Sequence, residues 1–148
     1  MQIYVASSPE NRDHEDVVKT LSDAGYFVWN YRDPSNGIGN FSFKPLTPKE
    51  GWTAEGFENV IKSKDVSKAF WIDMNGLASA DVLVALFPLD VSSSIKIGFA
   101  MGRSIPVIIV YDAIPKPELM IKMTPFRCVR KDELLQKVLE VKEISRHK

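Results

Sequence analysis

Three serines, an aspartate and a lysine crowd the stretch from Asp90 to Lys96, directly after the apolar run Val82 to Phe87. Hydroxyls and backbone N–H groups at a helix start hold phosphate, and carboxylates hold sugar hydroxyls. Asp90 with Ser92, Ser93 and Ser94 therefore suits a sugar phosphate or a nucleotide. Ser93 reads as the cap of the following helix, which makes Lys96 its third residue, where a capping box wants Glu or Gln. A cation there opposes the helix dipole by roughly a few tenths of a kcal/mol or more. Either a carboxylate or phosphate lies close to it, or its long stem carries the ammonium out to water. Both remain open at this point.

Other polar residues follow apolar runs in the same way. Tyr4, Ser7 and Ser8 close the first run, Asn30, Arg32 and Asp33 the second, and Tyr111 and Asp112 the fourth. Asp73 joins them from a helix eight residues before Asp81. Singly these signals are weak. Ser7-Ser8-Pro9 is also a turn, Tyr4 is also a core aromatic, and the serine triplet is also a cap and loop. His14 and His147 fall on a helix start and a tail, with nothing to set either beside a nucleophile. No Gly-rich phosphate loop and no metal-ligand spacing is visible, so neither metal nor cofactor is expected.

The elements that would position these residues follow from the apolar pattern. Val82 to Phe87 and Ile105 to Val110 are continuous apolar runs of strand length, which suits strands covered on both faces. Between them SSSIKIGFAMG reads as a helix. Gln2 to Ala6 is a first strand and the 11–25 stretch a helix stopped by Gly25. Tyr26 to Tyr31 is a second strand, rich in aromatic and β-branched residues. Thr53 caps a helix to about Ile61, and Asp65 starts another, with Phe70, Met74 and Leu77 on one face. PELMIKM is a short helical stretch, Phe126 to Val129 a fifth strand, and a last helix starts near Lys131. Asp81 ends the helix before the third strand or caps a turn.

Repeated strand and helix predict an α/β fold, with a five-stranded parallel sheet, doubly wound and flavodoxin- or Rossmann-like, and helices on both faces. The 148 residues suit one domain. Residues 32–51, rich in proline and glycine, are too long for a simple connection and read as a lid or pocket wall. Residues 143–148 are expected to fray.

Composition narrows the partners. Nineteen basic and nineteen acidic side chains cancel, so neither a nucleic-acid polymer nor an anionic membrane is expected. The single cysteine, Cys128, cannot form an internal disulfide and reads as a small buried strand residue. No apolar run has transmembrane length and the first residues lack a secretory signal, so a cytoplasmic protein is expected.

Taken together, QIYVASS, the acid of WIDMNGLASADVLVAL, the pattern D-x(5)-K-x-G-x-A from Asp90 to Ala100, and the GRSIPVIIV that follows resemble the nucleoside 2-deoxyribosyltransferase family. Its nucleotide N-glycosidase relatives and small phage and bacterial members that begin YVASS are included. VWNYRDPSNGIGNFSF and PELMIKM fit the same pattern, and the likeness spans about residues 2 to 140. It implies that Tyr4 binds substrate, that Ser7 and Ser8 grip the sugar or its 5′ phosphate, that Asp73 lies near base and sugar, and that Asp90 contacts the ribose 5′ group. The family's nucleophilic glutamate falls on Lys96, and a family glycine on Ser92. A carboxylate attacks the anomeric carbon in retaining glycosidase chemistry, whereas a protonated lysine cannot. The resemblance therefore implies a nucleoside- or nucleotide-binding protein with N-glycosidic chemistry lost or altered. The alternatives are an active N-glycosidase or deoxyribosyltransferase using Asp73 or Asp90, and a module that sequesters or senses a nucleotide signal. Relatives commonly form homo-dimers or larger homo-oligomers, so an assembly of that kind is implied as well.

Overall fold

A computed structural model of the chain describes residues 1–36, 41–111, 119–128 and 130–146. Asp112, Val129, part of the 32–51 segment and the start of PELMIKM lie outside the described residues. Two compact units are present, one of Met1–Trp29 with Leu77–Lys148 and one of Asn30–Gly76.

The first unit is built on a five-stranded sheet of β1 (Gln2–Ala6), β2 (Phe27–Asn30), β3 (Val82–Leu86), β4 (Val107–Val110) and β5 (Phe126–Cys128). Their order is β2-β1-β3-β4-β5. The β1–β3, β3–β4 and β4–β5 pairings are parallel, with Tyr4 opposite Leu83 and Val84 opposite Ile108. The continuous apolar runs do what their pattern predicts, since every residue of β3 and β4 is buried. Alternation along the strands separates two faces. Ile3, Val5, Val82, Val84, Ile108 and Cys128 pack with Val17 and Leu21 of α1 (His14–Asp23) and Val138 and Val141 of α5 (Leu134–Arg146). Tyr4, Leu83 and Ile109 point to the opposite face, where α4 (Val91–Gly102) packs on β3 and β4. Both faces are covered, as in a doubly wound sheet.

Local chemistry sets the ends of these elements. Gly25 takes the left-handed conformation, at φ 82°, that lets the chain leave α1 for β2. The carboxylate of Asp81 accepts the Gln2 N–H at 2.6 Å, while the Asp81 N–H donates to the Gln2 carbonyl at 2.9 Å. Instead of capping a turn, Asp81 fixes the register between β1 and β3 at their entry. Burial pushes the Cys128 thiol up to about 11. It is inert packing, as its strand position suggested.

Helix bounds differ from expectation at α5 and α4. α5 continues to Arg146, into the 143–148 stretch expected to fray, and a 3-10 turn, Lys131–Glu133, precedes it. α4 starts at Val91 and not after Ser93.

The second unit holds α2 (Ala54–Ile61), most of α3 (Lys64–Ala78) and the 32–51 segment. Thr53 caps α2 as predicted, accepting the Gly56 N–H at 3.0 Å. Phe41, Phe43, Phe57 and Trp52 meet in sequence at centroid distances of 5.1, 5.8 and 5.7 Å, a partly exposed aromatic cluster that ties the segment to Trp52 and α2. Phe70, expected on the inner face of α3, is 53% exposed, whereas Leu77 is fully buried. Among the described residues no helix is long and apolar enough to cross a membrane.

Candidate functional site

The strand order reverses direction between β1 and β3, and in open α/β sheets ligands bind outside the carboxyl ends of the strands at that switch point. A crevice of about 320 Å³ lies there, walled by Ser8 and residues 10–13 of the β1–α1 loop on one side and Phe87-Pro88 on the other. Loop geometry explains why it stays open. Asn11 is buried and donates its side-chain amide to the Phe87 carbonyl at 3.0 Å, joining the two walls at the floor. Its carboxamide oxygen accepts the Asp13 N–H at 2.9 Å, and its own N–H donates to the Ser8 carbonyl at 3.0 Å. The Ser8 hydroxyl accepts the Glu10 N–H at 3.2 Å. The Phe87–Pro88 peptide is cis, and the Phe87 ring meets Tyr111 edge-on at 6.0 Å.

Ser7 sits behind this wall. It is 6% exposed, and its hydroxyl oxygen lies 2.8 Å from Nδ1 of His14, which is fully buried. Sequence reasoning found no partner for this histidine. Its place at a helix start gave no sign of a contact, and only the fold of the loop brings it against Ser7. Asn11 and Arg12 were missed for the same reason: each reads as an ordinary residue of a polar helix start.

The third loop leads into α4. Asp90 is its cap: the carboxylate accepts the Ser93 N–H at 2.7 Å, and the Ser94 hydroxyl donates to the Asp90 carbonyl at 2.9 Å. Both Asp90 and Ser93 are good caps, and the side chain of Ser93 is buried instead of capping. The helix is thus three residues longer at its start than predicted. Ser92 lies exposed in its first turn, and Lys96 falls in the second turn, where the dipole penalty is weaker. Asp90→Ala should lower stability by about 1 kcal/mol, read as a shifted urea midpoint with unchanged slope.

Lys96 meets β1 from above. Its ammonium donates to the Tyr4 hydroxyl at 2.7 Å. The same nitrogen is 5.1 Å from the ring centroid, so it sits at the rim of the ring and not over its face. A hydrogen bond, more than cation–π attraction, holds it there. Tyr4 has no exposed surface. It is the core aromatic that its sequence position allowed, and its hydroxyl also holds Lys96. Val28 packs with the α1 and α5 core, so by alternation Trp29 faces the Tyr4 side of the sheet. The Trp29 indole N–H is buried and has no acceptor among the described residues. An orphaned donor of this kind is uncommon in folded proteins.

Arg32, Asp33 and Asp73 belong to the second unit. Arg32 lies beside Tyr31, with Nε 3.2 Å from its hydroxyl. The Asp33 carboxylate accepts the Ser35 N–H at 2.8 Å and caps the short 3-10 turn Pro34–Asn36; that backbone bond, then the Ser35 side chain, holds its pKa below the usual carboxylate value. Asp73 is half-buried on α3. The residues brought together in the first unit are thus Tyr4 with Lys96, Asp90 with Ser93 and Ser94, and Ser7 with His14.

Solved structures give this arrangement its setting. The 2-deoxyribosyltransferase of Bacillus psychrosaccharolyticus, characterised as a biocatalyst for nucleoside synthesis, superposes with a TM-score of 0.58 at 18% identity, over 90% of each chain. The chain has the fold of a 2-deoxyribosyltransferase. A conserved protein from Enterococcus faecalis V583 matches with a TM-score of 0.61 at 16% identity, over 95% of this chain and 98% of that one. No protein-family model matches the sequence, and no curated protein does. The resemblance first seen in the motifs is therefore also a resemblance of fold, and it runs through nearly the whole chain.

Proposed function

We propose that this chain binds a nucleoside or nucleotide at the carboxyl edge of its sheet and does not cleave the N-glycosidic bond. The observation that carries this reading is the 2.7 Å bond from the Lys96 ammonium to the Tyr4 hydroxyl. The motif resemblance puts the family's nucleophilic carboxylate at Lys96. An ammonium that donates its proton to a buried phenol offers no lone pair to an anomeric carbon. Exchanging a carboxylate for an ammonium changes the local charge by two units, in the direction that favours an anionic ligand. The crevice at the strand switch point and the orphaned Trp29 N–H support a ligand at this edge.

The alternative of cleavage through Asp90 is weakened, because its carboxylate already caps α4. Cleavage through Asp73 is the competing enzymatic reading. Sequestering or sensing a nucleotide signal needs the same binding without turnover and is a use of this site, not a rival to it. A cytoplasmic setting and a homo-oligomer belong to the same reading. Leu119, Met120 and Met123, 77%, 63% and 61% exposed, offer an apolar contact for a second copy.

The test is nucleotide-dependent thermal stabilisation in wild type, Lys96→Ala and Ser8→Ala. Binding by the wild type that weakens about tenfold in Lys96→Ala is expected. Unchanged binding in both variants means the ligand lies elsewhere.

A further inference from the structure

Arg12 is exposed on the wall of the switch-point crevice and has no hydrogen bond, ion pair or ring contact among the described residues. An aspartate follows it immediately and lines the same crevice. Left alone, Asp13 would be the natural partner of that guanidinium. Its carboxylate is instead held by Lys131, 2.6 Å away and more than a hundred residues later in the chain, at the turn before α5. We infer that Lys131 is a specificity-determining residue: by engaging Asp13 it keeps Arg12 available to a phosphate group of the ligand.

The inference rests on the nucleotide-binding reading and adds the ligand class, a phosphorylated one, together with the device that selects it. Without Lys131, Asp13 and Arg12 would neutralise one another on the crevice wall. A planar guanidinium binds phosphate through paired N–H bonds, so its availability decides whether phosphate is recognised or merely tolerated. Glu10 also lines the crevice, but it is present with or without Lys131 and so cancels in the comparison. The Lys131–Asp13 pair is half-exposed, at 38% and 45%, so removing it should cost little stability and its effect on binding can be read separately. Asp13 makes no side-chain capping bond to α1, so Asp13→Asn leaves the helix start intact.

The test measures inorganic phosphate binding by calorimetry at low salt, beside the strongest nucleotide from a panel and its parent nucleoside. Lys131→Gln is expected to weaken phosphate and nucleotide binding about fivefold and to leave the nucleoside unchanged. Asp13→Asn combined with Lys131→Gln should restore wild-type affinity. In an Arg12→Ala background, Lys131→Gln should have no further effect, which a general loss of positive field would not produce. A nucleotide that binds equally well with and without Lys131 overturns the inference and leaves the nucleotide-binding reading in place. Phosphate binding that follows this pattern while no nucleoside or nucleotide binds overturns that reading and leaves the anion selector.

Discussion

Tyr4→Ala is expected to cost about 3–5 kcal/mol of folding stability, the range for deleting a large aromatic from a core. Tyr4 lies in β1, between β2 and β3 in the sheet, and has no exposed surface. Against a usual total of about 5–15 kcal/mol, that loss leaves a marginal fold. Tyr4→Phe keeps the ring and removes the hydroxyl that accepts from the Lys96 ammonium. It should cost about 1 kcal/mol, because Lys96 is half-buried and water can take over part of the bond. Urea denaturation of both variants separates the two roles of the residue. A phenylalanine variant as unstable as the alanine variant would mean that the polar contact, and not the packing, holds this edge of the sheet.

Lys96→Glu has the largest expected effect on binding. It replaces the ammonium beside Tyr4 with a carboxylate and turns a site favourable to anions into one that repels them. Affinity for a nucleoside monophosphate should fall by about two orders of magnitude or more, since both the attraction and the hydrogen bond are lost. Calorimetry reads that change directly. The same sample, tested for free base, asks a second question. Base released by Lys96→Glu and not by wild type would trace the missing chemistry to this single side chain.

The sheet was legible because its signal is strong and local. Val82 to Phe87 and Ile105 to Val110 are apolar without interruption, and only burial on both faces accounts for such runs in strands. The helix starts were legible where one residue alone could cap. Thr53 is such a case, and α2 begins where it was predicted. At α4 two good caps, Asp90 and Ser93, stand three residues apart. Sequence cannot choose between them, because the choice depends on burial of the Ser93 side chain in the fold. That one ambiguity placed Lys96 in the first turn and overstated its conflict with the helix dipole. The unusual residue was found, but its true partner, Tyr4, is ninety-two positions away. Asn11 with Phe87 and Asp13 with Lys131 were invisible for the same reason, since each is made by a loop closing on a distant element. His14 and Ser7 are only seven residues apart, but that spacing marks no contact until the loop between them has folded.

The measurement that bears most directly on the account is an incubation of purified protein with ribo- and deoxyribonucleosides and their 5′ monophosphates. Free base would be followed by chromatography and melting temperature recorded in parallel. The account predicts no free base from any compound and a raised melting temperature with at least one nucleotide. Free base from any one of them would contradict it and turn attention to Asp73 as the acid that carries the reaction.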